Sequence, residues 1–282
     1  MQTLPRVLLL LFATASTQAQ IIDKGLILDL DADRGVEVEA GNRVVKWTNQ
    51  VSTFKAKDFV KRDKGRSRPG SGRPTLKKAV AAIGKHDTLV FSRQELINHD
   101  EDAFDHLVTG SGYTWFAAIC TYRQVVQLKD VNSFFGNLRN GGKCEGIWGN
   151  VTDDNRVWIG SRNAITFGRW DHNNPMVLAP KPLNENRYYV VAGRMGAGTG
   201  KVRIELFVND PTPVASKPFP VNPRANSSKL AIGQERDATN HPGRESFDGE
   251  MARLLIYERP LTDEQLKQTI ESLKKTYAIN DQ

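Results

Sequence analysis

Short stretches of alternating apolar and polar residues recur along this chain, and that period decides what it can fold into. Leu26-Ile27-Leu28-Asp29-Leu30-Asp31-Ala32-Asp33 is the sharpest case. On a strand, successive side chains point to opposite faces. Leu26, Leu28, Leu30 and Ala32 therefore share one face, and the three aspartates share the other. Arg43–Trp47 follows the turn-forming Ala40-Gly41-Asn42 and reads as the next strand. Asp87–Phe91 is another, and Tyr113–Tyr122 (YTWFAAICTY) predicts a central strand buried on both sides. Further strands are predicted at Asn132–Phe135, Glu145–Trp148, Arg156–Ile159, Arg187–Val191, Val202–Val208, Leu230–Ile232 and Met251–Tyr257. Gly, Asn and Asp separate them at short intervals, the pattern of a sandwich or barrel.

One segment breaks the period. From Leu261 to Tyr277, Leu266, Ile270, Leu273 and Tyr277 repeat at helical spacing. Thr262 with Gln265 three residues on predicts a capping box. Asp263 and Glu264 complement the positive end of the helix dipole, and Lys274 and Lys275 the negative end. We read this helix as a terminal brace on the sandwich. The segment Lys55–Lys78 is basic and poor in apolar residues, and is expected to be the most mobile part of the chain.

The first residues, MQTLPRVLLLLFATASTQAQ, carry Arg6, an apolar run from Val7 to Phe12 and small residues at Thr17-Gln18-Ala19. The run is too short to cross a bilayer and reads as an export signal over residues 1–19. The expected mature domain is 20–282, beginning near Gln20, with no membrane span. Its expected location is secreted or periplasmic. With 39% hydrophobic and 25% charged residues, the chain has material for a sizeable core. The formal charge is +7, one unit of which is carried by Arg6. Outside the cytosol, that excess fits an acidic polysaccharide or an anionic envelope surface rather than nucleic acid. Export also permits a Cys120–Cys144 disulfide, which would contribute roughly 3 kcal/mol. Two buried free thiols are the alternative.

Several stretches carry a family resemblance. GLILDLDADRG followed by RVVKWTNQ resembles the opening of bacterial laminin-G-like domains of the concanavalin A-like lectin/glucanase superfamily. The close, FDGEMARLLIYERPLTDEQLKQTIESLKKTYAI, resembles the same family through Phe247, Gly249, Leu254, Leu255, Ile256, Tyr257, Leu261 and Tyr277. Leu206-Phe207-Val208-Asn209-Asp210 resembles the family's hairpin, with Asp210 where Gly is usual, and Leu230-Ala231-Ile232-Gly233 resembles a strand of it. The resemblance implies an all-β fold: a two-sheet antiparallel jelly-roll sandwich with a C-terminal helix. It implies less about activity, because the superfamily holds lectins, adhesion modules, hydrolases and lyases.

The residues themselves separate the chemical options. Neighbouring same-face residues on a strand are about 6.6 Å apart, at the edge of the ~6.5–9.5 Å used by inverting glycosidases. Distance alone does not exclude Asp29 and Asp31 as an acid/base pair. The jelly-roll glucanases, however, carry Glu-x-Asp-x-Glu on a mid-chain strand, which this opening strand lacks. We read the aspartates as a solvated face or as turn caps, with Ca²⁺ as a candidate ion at Asp29 and Asp31 and at Asp248. Arg203-Ile204-Glu205-Leu206 begins like a lyase strand, but Phe207 replaces the final Arg. It reads as a two-faced strand with Ile204 and Leu206 inward. Gly196–Lys201 lacks the spacing of a phosphate loop and reads as a hairpin turn. The acidic stretch Asn98–His106 reads as a solvated loop or short helical turn.

Among the tryptophans, Trp115 belongs to the central strand. Trp170 stands in a polar segment with Asp171, His172 and Asn173, which offers a sugar ring an apolar face and polar partners. Arg236, Asp237 and His241 form a second polar loop. The basic loop with Lys61, Arg62, Lys64, Arg66, Arg68 and Arg73 is a candidate for sulfate or uronate groups, or a solubilising surface. The expected function is a non-catalytic module binding a polysaccharide or glycoprotein, an anionic one included. The alternatives are a jelly-roll hydrolase or lyase and a cell-envelope protein-interaction module.

Overall fold

The computed structural model describes residues 21–61, 72–124, 131–139, 145–162, 176–235 and 245–280. The opening alternation becomes β1 (Leu26–Asp31), followed by the hairpin β2 (Val36–Glu39) and β3 (Arg43–Thr48). Next come β4 (Asp58–Val60), β5 (Thr75–Val80), β6 (His86–Ser92) and β7 (Leu96–Ile97). The apolar run is β8 (Tyr113–Thr121), then β9 (Asn132–Gly136), β10 (Gly146–Val151), β11 (Arg156–Arg162) and β12 (Val177–Pro182). The chain continues through β13 (Tyr188–Met195), β14 (Gly200–Val208), β15 (Ala215–Val221) and β16 (Ala231–Ile232). It closes with β17 (Asp248–Tyr257) and α1 (Asp263–Thr276).

Pairing sorts these into two antiparallel layers. One runs β5–β6–β17–β8–β13–β14–β15, and β1 takes the second half of the β17 edge that β6 leaves free. The other runs β2–β3–β4–β7–β16–β9–β10–β11–β12. One pair, Arg43 with Thr75, joins the layers at an edge, so the sandwich is nearly closed. At the far side β12 and β15 are the free edges, and both carry prolines: Pro180 and Pro182, Pro218 and Pro220. Proline donates no ladder bond and is tolerated there, where it blunts edge-to-edge pairing.

Between the layers, Trp115 of β8 stacks edge-on to Phe134 at 5.7 Å and to Phe135 at 5.1 Å. Gly193 of β13 makes room for that indole, since a Cβ there would lie 2.5 Å from Trp115 Cε2. Ile204 and Leu206 point into the same core, as the two-faced reading of β14 expects. On the outer face of the first layer, Leu266, Ile270, Leu273 and Tyr277 pack against Phe116, Val190, Leu255 and Tyr257. Full burial of each such side chain is worth about 1.5–3 kcal/mol. The capping box is present: Gln265 N donates to Thr262 Oγ1 at 3.3 Å, and Thr262 N to Gln265 Oε1 at 3.3 Å.

Three expectations change. The segment Lys55–Lys78 is not one long loop, because β4 and the start of β5 lie within it. Lys61 is buried, with Nζ 3.8 Å from Glu95 Oε1, and Arg73 reaches Glu39 at 3.2 Å. Arg62, Lys64, Arg66 and Arg68 lie outside the described residues. The proline-bearing strands β12 and β15 and the short β2, β4 and β7 add to the predicted set.

Candidate functional site

The aspartates of β1 face outward as the alternation requires, but they are not solvated. Asp29 and Asp31 are buried. Arg253, arriving on β17, donates from Nε and Nη2 to the two Asp29 oxygens, each at 2.8 Å. Arg34 binds Asp31 at 2.8 Å and lies 3.7 Å from Asp29, and Arg253 lies 3.9 Å from Asp31. Asp31 also caps the next turn, accepting the Asp33 amide at 3.1 Å. Burial alone would weaken the Arg253 charge, but the hydrogen bonds and charge of Asp29 outweigh it and hold its pKa above the ordinary range. Asp33 accepts the Asp87 amide at 2.7 Å and contacts His86 at 2.5 Å. Asp29 and Asp31, through Arg253, make a structural clasp between the first and last strands, and Asp33 ties the turn after β1 to β6.

Asp248, the third residue proposed for a cation, pairs with Ser92 at the start of β17. It is five residues from Arg253, roughly 16 Å along the strand. The structure does not bring it to Asp29 and Asp31, and no group of three or more His, Cys, Asp or Glu fit to hold a metal gathers among the described residues.

A second buried carboxylate, Glu250 of β17, ties three further strands and the segment after β8 together. Lys77 of β5 donates to it at 2.7 Å, Thr88 of β6 at 2.6 Å and Tyr188 of β13 at 2.5 Å, with the Tyr122 hydroxyl just beyond β8 as the fourth donor. Burial favours its neutral form, but these donors prevail and hold its pKa below the usual carboxylate range. Burial and the Glu250 charge in turn push both tyrosines up. The same causes push the neighbouring Cys120 thiol up to about 12. Cys120 is free and buried, and Cys144 lies outside the described residues.

The described tryptophans are interior. Trp47, Trp115, Trp148 and Trp158 are fully buried, and Trp148 meets Trp158 edge-on at 5.3 Å. Trp170, Asp171, His172 and Asn173 lie outside the described residues, as do Arg236, Asp237 and His241. The acidic stretch includes a short 3₁₀ turn from Asp105, with Glu101 bound to Lys229 at 2.7 Å.

An open concavity lies elsewhere, where the edge strand β12 meets the start of β13 and the tip of the β14–β15 hairpin. It is a groove of about 520 Å³. Its apolar wall includes Pro180, Pro182, Leu183 and Val214, and its polar groups include Lys181, Asn184, Arg187, Asn209 and Asp210. The Arg187 guanidinium lies over the Tyr189 ring, 5.3 Å from its centroid, and Tyr189 Oη accepts the Asn184 amide at 3.1 Å. Asn209, at φ 55°, accepts the Val190 amide through Oδ1 at 2.8 Å, which fixes the hairpin tip. The Thr212 amide, donating at 2.7 Å, holds the Asp210 carboxyl below its ordinary range. Among the described residues, Asp210 is the one carboxylate that lines the groove. Such a site can stack a ring against apolar surface and offer amide, guanidinium and ammonium donors to hydroxyls. Sequence reading recognised the strand from Arg187 but not the groove. The available signal was the turn-rich LNENR (183–187) between two strands, since binding residues concentrate on such loops.

The comparisons with known proteins agree with this architecture. Residues 124–267 match the laminin G profile of the concanavalin A-like lectin/glucanases superfamily. The chain belongs to that superfamily. No curated protein matches it by sequence. Among solved structures, it resembles domain 4 of AbnA, an extracellular arabinanase from Geobacillus stearothermophilus, in complex with arabinotriose. The TM-score is 0.51 and the identity 16%, over 86% of this chain and 96% of that one. It also resembles Trypanosoma rangeli sialidase in complex with sialic acid, with TM-score 0.52 and 12% identity over 91% of this chain. There it spans only 34% of the longer enzyme. At these identities the likeness shows the shared jelly-roll fold.

Proposed function

We propose that this superfamily member is an exported, non-catalytic module that binds a polysaccharide or glycoprotein glycan in the groove beside β12. The groove carries the reading: among the described residues it combines an apolar wall with several hydrogen-bond donors and a single carboxylate. Glycoside hydrolysis by the usual route needs two carboxyl groups about 5–9.5 Å apart. The carboxylates first suspected of that role, Asp29 and Asp31, are bound to arginines. The fold neighbours support the glycan assignment, one holding arabinotriose and the other sialic acid. The signal-like residues 1–19 support export, and N-terminal sequencing of the natural protein should then begin at Gln20.

The test is affinity electrophoresis against a polysaccharide panel, with reducing ends measured in the same samples. Retardation by at least one glycan without new ends is expected. It should weaken about tenfold in Asn184→Ala and in Arg187→Met. New reducing ends that vanish in a carboxylate variant would replace this reading with a hydrolase or lyase. Binding lost in Trp170→Ala but kept in both groove variants would move the site to the Trp170 loop. A blank panel with specific capture of an envelope protein would favour the protein-interaction module.

A further inference from the structure

The β14–β15 ribbon that forms one wall of the groove continues away from it as a cationic edge. Lys201 and Arg203 are same-face neighbours on β14, roughly 6.6 Å apart. Across the ladder they pair with Pro220 and Pro218. Those prolines are short, rigid and without an N–H, so both long side chains stand clear of the edge. Lys217 pairs with the core-facing Ile204 and so leaves the ribbon on its other side, but on this edge strand it is exposed and lines, with Lys201, Val202, Arg203, Ser216 and Pro218, a hollow of about 370 Å³. All three cations are exposed. Among the described residues, no ion pair or hydrogen bond engages their side chains. The ribbon's acids are disposed differently: Glu205 is consumed by Arg194 at 2.7 Å, and Asp210 lies at the hairpin tip. From Arg203 to Val208, at the groove, is about 16 Å along the strand. Lys181 and Arg187 continue the positive charge inside the groove.

We propose that Lys201, Arg203 and Lys217 form a subsite for the negative groups of an anionic polysaccharide whose neighbouring residues occupy the groove. This rests on the glycan-binding reading and names the glycan class. The shared chemistry is a repeating anion, supplied by uronate carboxylates or by sulfate esters. A glycan is favoured over a nucleic acid because the groove on the same ribbon offers apolar wall and hydroxyl partners rather than an aromatic stacking platform. Clustered, uncompensated cations attract a polyanion more than isolated ones do, and each released counterion makes the affinity salt-dependent.

The experiment titrates the full chain with polygalacturonate, dextran sulfate, neutral arabinan and single-stranded DNA, at low and at physiological salt. The variants are Lys201→Gln/Arg203→Gln/Lys217→Gln and a charge-matched control, Lys24→Gln/Lys78→Gln/Lys267→Gln. For one or both anionic glycans, the edge variant should lose at least tenfold in affinity while the control stays within twofold. The slope of log affinity against log salt should become shallower by up to about three contacts' worth. Whichever anionic glycan shows the larger loss identifies carboxylate or sulfate as the natural group. Equal losses in both variants would show a diffuse field and overturn the subsite. Tightest binding to DNA would overturn the glycan class. Binding of arabinan alone, unchanged in the edge variant, would overturn this inference and leave the groove's glycan reading standing. If no polymer binds, both fail.

Discussion

Asp29→Asn removes one charge from the clasp between the first and last strands. In the native protein Asp29 accepts two bonds from Arg253, each at 2.8 Å, and both partners are buried. Removing one member of a buried pair typically costs about 3–5 kcal/mol, because the partner is left uncompensated. Here Asp31 stands 3.9 Å from Arg253 and can recover part of the attraction. We therefore expect about 3 kcal/mol of destabilisation. At roughly 2–4 °C per kcal/mol for a domain of this size, Tm should fall by about 6–12 °C. Urea unfolding followed by tryptophan fluorescence, with calorimetry, measures both quantities. Replacing both partners, in Asp29→Leu/Arg253→Met, should cost clearly less than the summed single changes, with a coupling of at least about 1.5 kcal/mol. A cost below about 1 kcal/mol for Asp29→Asn would refute the clasp. So would stabilisation by Ca²⁺ of the wild type but not the variant, since the carboxylate would then serve a cation rather than Arg253.

Other outcomes follow from packing and ionisation. Gly193→Ala places a Cβ 2.5 Å from Trp115 Cε2, so overpacking should cost about 1–3 kcal/mol in urea unfolding. Near-UV circular dichroism should report the displaced indole. Thr262→Ala deletes the hydroxyl that accepts the Gln265 amide and should cost about 1 kcal/mol, with Thr262→Ser restoring most of it. Glu250 has a lowered pKa in the folded state, so its contribution is complete above the unfolded-state value near 4.5 and is lost as pH falls below it. Tyr122 and Tyr188 have raised pKa values, so their contribution is complete below pH 10 and is lost as pH rises above it. Glu250→Gln should flatten both limbs of the stability–pH profile. Limbs unchanged in that variant would place the titrating groups elsewhere.

What could be read from the sequence depended on how local the cause was. The alternation in β1, the apolar run of β8 and the spacing of Leu266, Ile270, Leu273 and Tyr277 are encoded within a few residues, and each element lies where it was expected. Strands β12 and β15 escaped notice because Pro180, Pro182, Pro218 and Pro220 argue against a central strand, and only an edge position tolerates them. In β5, paired lysines and the left-handed Ala79 masked the strand. Asp29 and Asp31 were placed on the correct face with the wrong solvation. The arginine that buries Asp29 lies 224 residues away, a contact no local pattern contains. The groove is hidden for the same reason, since β12 and the β14–β15 hairpin meet only after both sheets have stacked. Trp170 and the Arg236 loop lie outside the described residues, and Trp170→Ala tests the first of them.

Hydrogen–deuterium exchange with and without a bound glycan, with polymer length measured in the same tube, tests glycan capture at the groove most directly. We predict new protection over residues 179–184 and 208–214 while the glycan keeps its length. Protection confined to other segments, or a polymer that shortens as binding saturates, would contradict it.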